Sequence, residues 1–276
     1  MNRNFLSSLL LLFVAVIMVT SCGNETTTTT NTDTIVKDTV QDMTMETNTS
    51  YRLPSPIELY AFLKNNKAKY DKDILNSVDN LSKYFSVRSK ALNFGIYASD
   101  LAYSTVFEEP QKTFFYYKAV KQLADEMGLT EGFDQSITKR INDNINNTDS
   151  LYRITSDAYF VATSHLEEKG KKDLLNLIIA GGWVESIHIA YNSVGKFSAD
   201  SKIVKRIVDQ RLLLENLVEL LRSLPQNAEN QALIEKFEDL QVAYMDLDSN
   251  ANVLITEAQY NKIKQKVQNI RNEFIK

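Results

Sequence analysis

The sequence predicts an all-α fold, an irregular array of about eight to ten helices over residues 53–276. Three observations carry that prediction. Helix breakers are sparse, with 4 prolines (Pro54, Pro56, Pro110 and Pro225) and 8 glycines in 276 residues. The stretches between them repeat apolar residues at helical spacing, without sustained alternation of period two. No segment repeats at intervals of about 34 or 40 residues, which disfavours a helical solenoid.

Taken in order, Ser55-Pro56-Ile57-Glu58 has a capping-box pattern with proline at the first helical position, so a helix starts there. Further helices are predicted over about 73–84, 87–107, 110–127, 133–144 and 148–168, then 171–194, 200–224, 228–246 and 257–275. The last has the clearest stripe, Ile263, Val267, Ile270 and Phe274, with Lys, Gln and Asn elsewhere. Leu174–Tyr191 is apolar on nearly every side and is expected to be the central helix, enclosed by the others. Glu185 and His188 within it argue against a membrane span. Gly95, Ala98 and Ala102, and Gly181 with Gly182, mark expected close helix crossings.

Composition limits the function classes. There are 31 Lys and Arg against 35 Asp and Glu, a net charge of -4, and no basic run compensates locally, so a nucleic-acid partner is not expected. The single cysteine, Cys22, has no disulfide partner and completes no zinc motif.

The position of that cysteine is informative. Arg3 supplies a positive start, Leu9–Val19 is a continuous apolar run too short to span a bilayer, and small residues close it. Val19-Thr20-Ser21-Cys22 resembles the lipobox of bacterial lipoproteins, with Val in place of the commoner Leu. The resemblance implies a signal peptide over residues 1–21 and cleavage before Cys22. It also implies fatty-acyl chains such as palmitate on that residue, and anchoring to a membrane. Because Arg3 is the only charge removed, the mature net charge moves from -4 to -5. Gly23, rather than Asp, follows the cysteine, and by the same resemblance this favours the outer membrane. Residues 22–52 are rich in Thr and Asn and hold too few apolar residues for a core, so a disordered tether is expected. A coil of about 28 residues reaches roughly 30 Å. Asp33-Thr34-Ile35 and Asp38-Thr39-Val40 resemble the Asp-Thr-apolar O-glycosylation acceptor of Bacteroidota. Leu53-Pro54-Ser55-Pro56-Ile57-Glu58 and Asn93–Tyr103 are similar to segments of the uncharacterised helical lipoproteins of Bacteroidota, a likeness that brings an address and no chemistry.

Three constellations in the helical part are candidates for chemistry. Asp246–Glu257 resembles an EF-hand calcium loop. The likeness places Asp246, Asp248, Asn250 and Glu257 as side-chain ligands and Asn252 as a carbonyl donor. Ala251 stands where that loop wants glycine, and the other reading is an Asp/Asn-rich connection ending in a Thr256 cap with Gln259. Glu185 and His188 have the Glu-x-x-His spacing of di-iron bundles, but His165, the only other histidine, lies in Ala162-Thr163-Ser164-His165, so the second pair is missing. Finally, Asn93, Tyr97 and Asp100 share one helix face, and Glu185, His188 and Asn192 share another. If these faces meet they form a ligand pocket or a buried hydrogen-bonded lock; otherwise they are solvated. The run Phe114-Phe115-Tyr116-Tyr117 is assigned to the core, with a carbohydrate or peptide platform as the other reading. No nucleophile elbow, phosphate loop, HExxH or haem motif is present, so enzymatic activity has no positive support. The sequence therefore points to an anchored envelope module that binds an envelope protein or a small-molecule ligand. A calcium module and an enzyme of unknown class are the alternatives.

Overall fold

The computed structural model describes residues 56–129, 135–145, 147–245, 247 and 254–276, and every regular element among them is helical. Cys22, the segments expected to form a leader and a tether, Ser55 with its capping pattern, and Asp246, Asp248, Asn250 and Asn252 lie outside the described residues. The α-helices are α1 (Pro56–Asn65), α2 (Val87–Val106), α3 (Pro110–Glu126), α4 (Gln135–Asp143) and α5 (Thr148–Glu168). They continue with α6 (Lys172–Asn192), α7 (Lys202–Val208), α8 (Arg211–Arg222), α9 (Ala228–Met245) and α10 (Glu257–Phe274).

Local chemistry fixes several of the helix starts. Ser86 caps α2 by accepting the Ser89 N–H at 3.0 Å, and Asn147 caps α5 by accepting the Ser150 N–H at 3.0 Å. Pro110 opens α3 at a position where its missing N–H costs nothing. Thr256 and Gln259 form a complete capping box at α10, as the helix-connection reading of that segment expects.

Helix α6 is central. Every residue from Leu175 to Tyr191 is buried, and α1, α2, α5, α7, α8 and α10 all pack against it. By length and composition it could cross a membrane, but 94% of that stretch is covered by the rest of the fold. Its tightest partner is α2. A methyl group added to Gly95 would sit 2.0 Å from the Ile178 carbonyl oxygen, and one on Gly181 would sit 1.9 Å from that of Leu92. The two backbones touch, and glycine is the only residue that lets them.

Two predicted helices are corrected. Residues 73–84 do not form an α-helix; they form two short 3-10 turns, Lys72–Ile74 and Val78–Lys83, within an irregular strap running from 66 to 86. The Asp71 carboxylate accepts the Asp73 N–H at 2.9 Å and the Ser77 hydroxyl accepts that of Asp79 at 3.3 Å. Such side-chain bonds compete with the α-helical ladder. Residues 200–224 split into α7 and α8 at Asp209–Gln210, where the Gln210 N–H turns to the Ile207 carbonyl at 3.2 Å. The aromatic run is core only in part, since Tyr116 and Tyr117 are buried and Phe115 is exposed.

Candidate functional site

The two polar faces do meet, and α10 and the strap close over them. Asn93, Tyr97 and Asp100 on α2 and Glu185 on α6 are all 0% exposed, and His188 is nearly so. Asn192, one turn on, sits at the edge of the group, half-buried. The stripes therefore form a sealed polar cluster rather than solvated surfaces.

The charged centre is an ion pair. Arg271 on α10 donates from Nε to Glu185 Oε2 at 2.6 Å and from Nη2 to Glu185 Oε1 at 2.8 Å, a bidentate fork. Burial lowers the guanidinium's affinity for its proton, but Glu185's charge and hydrogen bonds more than offset this, so the Arg271 pKa is raised. Its Nη2 also donates to the Ile74 carbonyl at 3.0 Å.

The strap is held chiefly through its own backbone. Asp100 Oδ2 accepts the Asn76 N–H at 3.2 Å, the Tyr97 hydroxyl donates to the Ser77 carbonyl at 2.8 Å, and His188 bonds the Ile74 carbonyl at 3.0 Å. The Tyr103 hydroxyl accepts the Asp71 N–H at 3.1 Å and donates to the Lys69 carbonyl at 3.2 Å, with Tyr70 stacked on its ring. Asn76 is the strap's polar anchor, donating to the Tyr84 hydroxyl at 3.0 Å and to Asn93 Oδ1 at 3.4 Å. Asn93 in turn donates to the Phe274 carbonyl at 2.6 Å, tying α2 to the last turn of α10.

His188 is a satisfied core histidine. Burial lowers its pKa and keeps the ring neutral. Nε2–H donates to Ile74, which leaves Nδ1 to accept from Asn192 Nδ2 at 3.2 Å. Asp100 stands at the other extreme. Burial first, then the neighbouring Glu185 charge, push its carboxyl well above the usual range, against the opposing pull of Arg271.

Beside this cluster runs a chain of hydroxyls joining three helices. Tyr60 on α1 bonds Ser99 on α2, which bonds Ser186 on α6 at 3.0 Å, and Ser186 donates to the Gly182 carbonyl at 2.7 Å.

The sequence marked Asn93, Tyr97, Asp100, Glu185, His188 and Asn192, and the fold gathers them. It did not mark Arg271, Asn76, Tyr84 or the hydroxyl chain. The signal for Arg271 was present: it follows Ile270 directly and lies one helical repeat from Val267 and Phe274, a lone cation on an apolar stripe. Of the five proposed calcium ligands, only Glu257 is described, exposed in the first turn of α10. Among the described residues no group of three or more His, Cys, Asp or Glu side chains is placed to hold a metal ion.

Both oxygens of Glu185 and both nitrogens of His188 are already engaged, and the strap shuts the cluster from solvent. In this conformation it acts as a lock. A groove of about 250 Å³ lies elsewhere, where Arg222, Pro225, Asn230, Ile234 and Glu238 line the surface. Its Arg222 is held by Glu219 at 2.5 Å and Glu238 at 2.6 Å, which leaves little free charge for a ligand. Comparison with protein-family models, curated proteins and solved structures returned no match.

Proposed function

We propose that this chain is an envelope lipoprotein. Acyl chains on Cys22 hold it to a membrane, the outer membrane by preference, and the helical domain is a non-catalytic module that binds an envelope protein or a small ligand. The observation that carries the reading is Val19-Thr20-Ser21-Cys22 closing an apolar run behind Arg3, with the chain's sole cysteine at the cleavage position. Two or three acyl chains suffice for stable anchoring where one is marginal. A binding rather than catalytic role is supported by the polar cluster, in which Arg271 holds Glu185 while Asp100 and His188 hold the strap. Partner recognition then falls to the outer surface.

Metabolic labelling of the native cell with an alkyne fatty acid tests the anchor. The protein takes up label, Cys22→Ala abolishes it, and the amino-terminal peptide starts at residue 22 with the mass of a lipid adduct. An unmodified peptide with its leader attached defeats the reading. Photo-crosslinking in envelope fractions tests the second half, with a reproducible partner as the expected result.

A second reading keeps the calcium loop, favoured by the spacing of Asp246, Asp248, Asn250, Asn252 and Glu257. The Thr256–Gln259 box accounts for the α10 start without metal, so the ion must be demonstrated directly. Isothermal titration with Ca²⁺ decides it, and no heat at about millimolar calcium removes it.

A further inference from the structure

The sealed cluster does not balance as two carboxylates and one guanidinium. Asp100 and Glu185 are both 0% exposed, and Arg271, the cation that offsets them, gives Glu185 two of its donors and the Ile74 carbonyl another. With both acids ionised, a net negative charge would stand in a dry core, at a cost of several kcal/mol.

The hydrogen bonds say which group relieves it. Both Glu185 oxygens accept from Arg271, so a proton on either would meet a donor. Asp100 Oδ2 accepts the Asn76 N–H, while Oδ1 is buried and meets no donor among the described residues. Ser99 and Ser186, the sequence neighbours of Asp100 and Glu185, lie 3.0 Å apart, which brings the two carboxyl groups side by side across the α2–α6 crossing and within reach of a hydrogen bond to each other. Two acceptors in contact form a bond only if one of them carries hydrogen.

We propose that a single proton held on Asp100 Oδ1 and donated to Glu185 closes the strap of residues 66–86 onto the helical body, and that losing this proton opens the strap while the helices stay folded. The linkage runs through two bonds to the strap. Asp100 Oδ2 holds the Asn76 N–H, and Arg271, oriented by Glu185, holds the Ile74 carbonyl two residues earlier. Ionised Asp100 repels Glu185 and competes for Arg271, which disturbs both. Among the described residues, no other group facing Asp100 offers a compensating cation. Tyr60 comes from α1, Tyr97 from α2 itself, Tyr116 from α3, and Tyr70 from the strap. His188 from α6 is kept neutral by burial. The tyrosines' own ionisation is pushed upward by the same burial, so they remain neutral hydrogen-bonding walls.

The sign follows. A carboxyl whose folded affinity for the proton exceeds its unfolded one stabilises the closed state fully at acid pH. That contribution is lost as pH rises through the folded value. Asp100→Asn is the isosteric mimic of the protonated form, since its carbonyl accepts from Asn76 and its amide donates to Glu185.

Two measurements on the purified protein test this. Infrared spectroscopy at about pH 7 should show the carbonyl stretch of a protonated carboxylic acid; carbon-13 labelling of aspartate should displace it, and D100N should lack it. Hydrogen exchange, corrected for intrinsic rate, should show protection of residues 69–84 falling about tenfold more than that of α6 between about pH 7 and pH 10, and D100N should suppress the excess. No acid band at neutral pH, or one that survives D100N, overturns the proposal. So does a strap whose protection tracks α6, or falls equally in both proteins. If D100N fails to fold, the labelled unaltered protein still reports the band, and its strap is still compared with α6.

Discussion

Helices α2 and α6 meet twice, and the two contacts obey different rules. At Gly95, Gly181 and Gly182 they meet as bare backbone, and volume decides everything. About one turn further along each helix, Ser99 and Asp100 face Glu185 and Ser186, and there charge and hydrogen-bond count decide. At Gly95 and Gly181 the first contact permits no added atom. The second permits changes of shape, provided every buried donor and acceptor remains matched. One pair of helices thus shows how close packing and polar matching divide the work of specifying a single register.

The sharpest way to break the polar contact is Arg271→Met, which leaves Glu185 buried without its cation. The expected loss is about 3–5 kcal/mol in chemical denaturation. Adding Glu185→Gln to that variant should recover part of the loss, because the stranded charge is then gone; a double variant as unstable as the sum of its parts contradicts the assignment. For the backbone contact, Gly181→Ala should cost ~2–3 kcal/mol or prevent folding, since the new methyl meets the Leu92 carbonyl rather than a movable side chain.

Acid exposes a third property of the polar contact. His188 has its pKa lowered by burial, so as pH falls the unfolded chain takes up a proton first, near its ordinary value of 6.5. Stability should therefore decline below that pH, and His188→Gln should lessen the slope in urea titrations taken at several pH values. Away from both contacts the effects shrink. Thr256→Ala removes half of the α10 capping box and should cost about 1 kcal/mol by thermal melting. Phe85 is 84% exposed at the end of the strap, and Phe85→Ser should stay within roughly 0.5 kcal/mol of the unaltered protein.

Much of the fold was legible because its long helices have apolar periodicity and few breakers, and α5 and α10 begin where Asn147 and Thr256 offer caps. The α2–α6 crossing was legible too, since glycines in otherwise apolar helices have few other uses. The strap was not. Ile74, Val78 and Leu81 have the spacing of an amphipathic helix, and nothing local reveals that Asp71 and Ser77 will take the backbone donors or that the body will claim the carbonyls of Ile74 and Ser77. The break at Asp209–Gln210 was hidden for a related reason, as neither residue forbids a helix. At the polar cluster, the two stripes on α2 and α6 could be read because each lies on a single helix. Asn76 and Arg271 join them from positions 24 residues before Asp100 and 86 residues after Glu185, and pattern reading does not bridge such distances.

Glu185 has a further consequence before folding is complete. While α6 is still uncovered, Lys172–Asn192 is a stretch of 21 residues that meets the length and apolarity of a bilayer-crossing segment. An acidic group near its middle makes partition into hydrocarbon costly by several kcal/mol. The residue that obliges the finished fold to supply a guanidinium thus also discourages the nascent segment from lodging in lipid, and replacing Glu185 by leucine would remove both constraints at once.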